Sequence, residues 1–312
     1  MGLTLIEAAK QQTDAYKAGV IELYAGSSAI LSTLPFMAIA GNAMKYNREA
    51  SLPGVGFRGV NEAYTPSTGV LNPLTEVLVI AGGDLDVDKF IIDTMGANQR
   101  TIQEAMKIRA LSLAWTRRFI KGDTATDPRE FDGLQVRTVG AQLIPAGTAN
   151  GGVALSLAKL DEAIDQTLNP THLIMSKAMA RKFSAAARLA TVGGYITYAP
   201  DALGRRIMQY NDLPILTVDL DNAGTAILPF TEVSYNTNAW NGTATATSIY
   251  IVSMGADALT GIQNGTLDVR DLGELQTSPL YRTRIEWYSG LAIFNGRAVT
   301  RLGSILDSAI TA

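Results

Sequence analysis

The residues able to do chemistry are few. The chain has no cysteine and one histidine, His172, so disulfides, thiol nucleophiles, thiolate metal sites and two-histidine metal sites are all excluded. His172 stands before Leu173-Ile-Met175, an apolar run that reads as a strand, where an imidazole is a core or edge residue rather than a general base. Asp84, Asp86 and Asp88 alternate as in the first half of a calcium loop. Lys89 then occupies the position that needs glycine for the sharp turn, and Met95 the position of the bidentate glutamate. The pattern is read instead as a strand end with its aspartates on one face, Asp86 or Asp88 capping the helix that follows; a cation held where subunits meet is the alternative. Asp161, Glu162 and Asp165 fall on a helix as a solvated face, and Gly151-Gly152 and Gly193-Gly194 lack the lysine and spacing of a phosphate loop. No catalytic, cofactor or metal site is assigned.

The elements that would carry a site are better defined than any site. Composition describes a packed chain of 312 residues, 47% apolar and 18% charged, able to bury one or two cores. A net charge of −3 supplies no basic field of the kind that wraps nucleic acid. No apolar run reaches the roughly 18 to 20 residues of a membrane span, and the amino terminus lacks the apolar centre of a signal peptide. Leu3, Leu5, Ile6, Ala9, Val20, Ile21 and Leu23 outline a short amphipathic helix or two, read as an arm.

Helical periodicity is strongest between Asn98 and Phe119. Ile102, Met106 and Leu113 recur on one line and Ile108, Leu111, Trp115 and Phe119 on another, which predicts a rod gripped from both sides. Gly96 is expected to break or kink it, Asn98 to cap it, and Lys121-Gly122-Asp123 to end it, giving about 22 residues and about 33 Å. Before the rod, Phe36 to Arg48 and Val70 to Ile80 read as extended segments. The residues between them include Pro53, Gly54, Gly56, Gly59, Pro66 and Gly69, which forbid helix and regular ladder alike. So long a connection inside a compact domain points to a functional arm. Its tip presents Leu52, Val55, Phe57, Val60 and Tyr64 among too many turn formers to bury them against itself, so these residues, with Arg58 and Glu62 setting register by charge, are candidate inter-subunit contacts. After Leu134 come the helix Leu155 to Leu168, the strand His172 to Met175, the helix Ser176 to Leu189, and strands at Leu213 to Asp219 and Ser248 to Met254. The closing segment from Arg282 is expected to split at Ser289-Gly290 into two strands, with Arg297 to Leu302 finishing in the same manner.

This order of parts resembles the major capsid proteins of tailed double-stranded DNA bacteriophages, with the Hong Kong 97 capsid fold. The resemblance spans nearly the whole chain and rests on the order and spacing of four pieces: the arm ending in Leu78-Val-Ile-Ala-Gly-Gly-Asp-Leu-Asp-Val-Asp88, the long helix, the Phe119-Ile-Lys-Gly-Asp123 exit with Asp127-Pro-Arg-Glu-Phe-Asp-Gly-Leu134, and the strands from Arg282 to Leu302. It implies an α+β fold with an amino-terminal arm (residues 1–35), an extended β-hairpin loop (36–85, tip about 50–67), a peripheral domain with a spine helix (86–135 and about 272–302) and an axial α/β domain (136–271 and 303–312). It further implies a structural protein, not an enzyme, that assembles through pentamers and hexamers into an icosahedral shell around phage DNA. Assembly is expected in the bacterial host cytoplasm and the product in the virion. Expected partners are a separate scaffolding protein, since an arm of about 30 residues leaves no room for a scaffolding segment, a portal, and a decoration protein as an option. In that setting Lys107, Arg109, Arg117, Arg118 and Lys121 make the spine helix basic. They read either as inter-subunit salt bridges to acids such as Asp127 and Glu130 or as an inner wall facing DNA; the first is favoured, because tight phosphate binding would oppose passage of the genome. Some relatives weld the arm to a neighbour through a lysine–asparagine bond, but Lys45 is the only lysine between Pro35 and Asp88 and lies away from the tip, so no weld is expected. The alternatives are an encapsulin-type cellular shell and a cytoplasmic α/β enzyme using carboxylates.

Overall fold

The computed structural model describes residues 3–4, 28–95, 98–188, 194–200 and 206–311. Two sheets and one long helix organise them. The larger sheet runs in the order Leu143–Pro145, Val299–Leu306, Ala244–Val252, His172–Ser176, Leu213–Val218, Arg206–Tyr210, Ile196–Pro200, with Glu232–Val233 beside Ala244–Val252. Its central strands are buried on both faces, which is why they read as unbroken apolar runs. Side-chain alternation sends Leu173, Met175, Ile249 and Ile251 to one core, against Leu160, Ile164, Met179 and Phe183 of the helices Leu157–Gln166 and Lys177–Ala186. Ile174, Tyr250 and Val252 point the other way, into the core that holds the spine helix Asn98–Lys121. Ser176 caps Lys177–Ala186 by accepting from the Met179 N–H at 3.2 Å.

The smaller sheet is built on Leu280–Ile293, which pairs with Val79–Asp88, Asp268–Glu274 and Leu259–Gln263; Pro35–Ala38 lies parallel to Leu259–Gln263, and Leu3–Thr4 pairs with Pro35 and Phe36. Between this sheet and the spine helix sit Trp115, Phe119, Phe36 and Trp287. Trp115 stacks on Phe119 at 5.4 Å and lies 5.7 Å from Trp287 and 5.9 Å from Phe36. Each indole nitrogen is satisfied, Trp115 Nε1 donating to Ser289 Oγ at 3.1 Å and Trp287 Nε1 to Gln263 Oε1 at 3.2 Å, as buried indoles require.

Several expectations are corrected. Leu280–Ile293 is one strand and does not split at Ser289-Gly290. Gly290 is there for close approach: a Cβ would stand 3.1 Å from the Ile262 side chain and 3.2 Å from the Val77 carbonyl. Phe36 to Arg48 is not one extended segment, because Phe36 is drawn into the aromatic core and only Ala43–Ser51 pairs with Val70–Val77 as the arm. The free-standing loop is accordingly shorter than residues 36–85, since Val79–Asp88 is already a body strand. Leu259–Gln263, expected with residues 136–271, belongs to the smaller sheet, and residues 299–302, expected with residues 272–302, continue into residues 303–306 as one strand of the larger sheet. The spine helix is gripped on one side: Ile108, Trp115 and Phe119 are buried, while Ile102 and Met106 are 50% and 61% exposed. Leu3–Thr4 is a strand rather than helix; the other amino-terminal helical positions and the break at Gly96 lie outside the described residues.

Trp115→Ala is expected to destabilise the unassembled subunit by about 3–5 kcal/mol, and Ile102→Ala, on the exposed face, by about 0.5 kcal/mol or less. Urea unfolding of the two variants checks the contrast.

Candidate assembly surfaces

The arm is a two-stranded ribbon with its tip at residues 52–69. Phe57, Val60, Val55, Leu52 and Tyr64 are 105%, 91%, 90%, 76% and 65% exposed, so the tip buries none of its large apolar side chains in its own chain. Its polar groups act locally. Arg58 donates to the Glu62 carbonyl at 3.2 Å and lies 5.2 Å over the Tyr64 ring, the Glu62 carboxylate accepts the Gly59 N–H at 2.8 Å, and Ser67 Oγ donates to the Gly54 carbonyl at 2.7 Å. Within the chain, Arg58 and Glu62 shape the tip that displays the apolar groups. Burying each such side chain on association contributes roughly 1.5 to 3 kcal/mol.

The aspartate alternation resolves into a charged ladder. Val79–Asp88 pairs with Leu280–Ile293 in a register that sets Asp84 opposite Arg284 and Asp86 opposite Arg282. Arg284 grips Asp84 in bidentate fashion at 2.7 and 2.9 Å, and Arg282 grips Asp86 with both bonds at 2.7 Å. Asp88 caps the helix Lys89–Met95 by accepting the Phe90 N–H at 2.8 Å. The arginine hydrogen bonds hold both ladder carboxyls below the ordinary value of 3.8.

The spine charges find partners inside the chain. Arg118 Nε meets Glu130 at 2.9 Å, Arg117 meets Asp221 at 3.4 Å, and Lys121 meets Glu232 at 3.3 Å. Glu232 is buried and also holds Arg301, at 3.1 Å, and the Ser248 hydroxyl, at 2.5 Å, so the end of the spine helix is tied to the larger sheet. Lys107 lies near Asp84 and helps depress its carboxyl. Arg109 lines a hollow with Ser28, Lys177 and Asp221. Arg118 and Glu130, expected to pair between subunits, pair within the chain. Sequence reading missed Asp221, Glu232 and Arg301; Asp221 and Glu232 lie about a hundred residues from their spine partners Arg117 and Lys121, Arg301 joins through Glu232, and no local spacing records such contacts.

His172 is half-buried beside the Thr171 hydroxyl, 3.0 Å from Nδ1, and burial pushes its pKa down to about 4. No helix among the described residues is long and apolar enough to cross a membrane.

Residues 12–154 match the family model of the major capsid protein GP7. No curated protein matches the sequence. Solved structures share the whole architecture at low identity. The holo-SrpI encapsulin complex from Synechococcus elongatus PCC 7942 is 16% identical, with 91% of this chain and 89% of that chain covered and a TM-score of 0.62. The capsid of a native GTA particle is 14% identical, with coverage of 89% and 90% and a TM-score of 0.61. Mycobacterium phage Cain is 15% identical, with 99% of each chain covered and a TM-score of 0.58. The fold is the Hong Kong 97-like capsid fold.

Two pH effects follow. For Asp84 and Asp86 the unfolded chain takes up protons more readily than the folded one, so their stabilisation is complete above 3.8 and drains away as pH falls below it. The Asp84→Asn/Asp86→Asn variant should lose stability at neutral pH and show a flatter acid decline than the parent. For His172 the unfolded value of 6.5 lies above the folded value, so stability falls between pH 6.5 and about 4. His172→Gln should flatten that window alone, as read by thermal unfolding at half-unit pH steps.

Proposed function

We infer that this chain, which has the Hong Kong 97-like capsid fold and matches the GP7 major capsid protein model over residues 12–154, is a major capsid protein that builds a closed shell around phage double-stranded DNA. The observation that carries this reading is the arm: a shaped tip, held away from the body, that displays five large apolar side chains and buries none of them. Such a surface needs another copy to cover it. Head-to-tail seating of each arm on the next subunit closes rings, and hexamers with pentamers close an icosahedral shell. The smaller sheet with the spine helix then forms the peripheral domain and the larger sheet the axial domain. Subunits come together in the host cytoplasm around a separate scaffolding protein, with a portal at one vertex and room for a decoration protein. A net charge of −3 supports weak, non-specific contact with the packaged genome. The role is structural, and no step of it requires catalysis.

The likeness to an encapsulin favours a second reading, a cellular shell around a protein cargo. The contents decide between them: nuclease-protected DNA in purified particles supports the capsid, and a co-purifying cargo protein supports the compartment.

Purified protein, alone or with its scaffold, is expected to form rings, shells or tubes far above the 33.2 kDa monomer; a stable monomer or dimer under both conditions overturns the shell. Replacing residues 52–64 by a short glycine-serine turn should leave the circular dichroism of the subunit intact and abolish particles in electron micrographs. Lys45 pairs across the arm with Thr75, within the ribbon and away from the tip, so mature particles boiled in detergent should run as one monomer band rather than a covalent ladder.

A further inference from the structure

The arm leaves the body through two thin connections. On one leg Gly41 adopts φ +98° with nothing within 4 Å of where a Cβ would stand, so backbone conformation rather than space calls for glycine there. On the other, Leu78 separates the arm strand from the body strand, and its N–H donates to the Asn42 carbonyl at 2.8 Å. A lone two-stranded ribbon has no sheet neighbour to set its direction.

Three side chains at the root supply what the ribbon lacks. Glu76, on the returning arm strand, is gripped by Arg137 through Nη1 at 2.6 Å and Nη2 at 2.7 Å. Arg137 is itself fixed, because Nε donates to the Asp132 carbonyl at 2.7 Å and the short helix Leu134–Arg137 is anchored by fully buried Leu134. The Asp132 carboxylate in turn accepts the Thr124 N–H at 2.9 Å and its hydroxyl at 2.7 Å, tying this base to the exit of the spine helix. On the outgoing arm strand, the Tyr46 hydroxyl lies 3.1 Å from the Ile293 carbonyl and 3.2 Å from Glu76 Oε1, and its ring meets Phe294 edge-on at 4.9 Å. Both arm strands are thus clamped, one to the base of the spine helix and the other to the end of the long strand Leu280–Ile293. Glu76 and Arg137 are each only about 15% exposed, 16% and 15%, so the pair is shielded from the screening that weakens surface ion pairs.

We propose that Glu76, Arg137 and Tyr46 are positioning residues that set the angle of the arm to the body and, through it, the curvature of the assembled shell. Through the arm strands they hold, they determine where the tip arrives. The inference about curvature rests on the shell reading above, whereas the clamp on arm angle does not.

The test uses Glu76→Gln, which keeps the side chain's shape but removes its charge, and Tyr46→Phe, which removes one hydroxyl. Because the chain has no cysteine, spin labels at Glu49→Cys on the arm and Ala256→Cys on the body report the arm angle in unassembled subunits, and electron microscopy reports particle diameter. The clamp predicts a narrow distance distribution in the parent and a broad one in Glu76→Gln. Displaced arms should become about tenfold more populated, the change that about 1.4 kcal/mol produces. Circular dichroism should be unchanged and particles should form, but with mixed diameters or open sheets. Restoration of the narrow distance and single diameter by the Glu76→Arg/Arg137→Glu pair would identify the ion pair as the cause. Parent-like distances and diameters in both Glu76→Gln and Tyr46→Phe overturn the proposal. If Glu76→Gln fails to fold, Tyr46→Phe carries the same comparison. If the parent itself forms no particles, the shell reading fails while the distance measurement still decides whether the clamp exists.

Discussion

The contact between one face of the spine helix and the smaller sheet is the interaction on which the remainder depends. Trp115 sits at its centre, sharing a core with Phe36, Phe119, Phe131 and Trp287, and aromatic groups of this size dominate the burial a domain can achieve. That cluster gathers segments from across the sequence: the approach to the arm through Phe36, the spine through Trp115, its exit through Phe131, and the long strand through Trp287. The same core continues to Ile174, Tyr250 and Val252 under the larger sheet, so the two sheets share one wall and the spine helix spans both.

Around this apolar centre the charges keep the long elements in register. Arg282 and Arg284 lock Val79–Asp88 against Leu280–Ile293, and Glu232 with Lys121 and Arg301 ties the end of the spine helix to the larger sheet. A buried pair such as Glu232 and Arg301 adds little net stability over a packed apolar alternative, but loss of one member strands the other. Its effect is therefore on arrangement. Charges spent in this way are not available to bind phosphate.

The arm is the opposite case, an element whose apolar groups are left unspent. Its ribbon is anchored by side chains at the root and its tip is shaped by Arg58 and Glu62, yet Leu52, Val55, Phe57, Val60 and Tyr64 face outward. A chain that folds one end around tryptophans and exposes phenylalanine at the other has divided its hydrophobic surface between folding and association.

The sequence alone was enough for the elements with a period or a stop signal. The spine helix, its end at Lys121, the cap from Asp88, the strand–helix alternation near His172 and the turn-rich arm all follow from spacing a few residues long, because helices, caps and turns are made by near neighbours. The exclusion of thiol chemistry followed from composition alone. Tertiary structure decided everything that depends on which distant segment lies alongside. It drew Phe36 out of the arm, kept Leu280–Ile293 whole across Gly290 by pairing it with Val79–Asp88 and Leu259–Gln263, brought Leu259–Gln263 into the smaller sheet and residues 299–302 into the larger, and left Ile102 and Met106 uncovered on a helix whose periodicity looked two-sided. It also chose Glu130, Asp221 and Glu232 as partners for the spine cations and Arg137 as the partner of Glu76. A residue's type states that it needs an opposite charge or an apolar cover, and only the folded chain determines which one comes within reach.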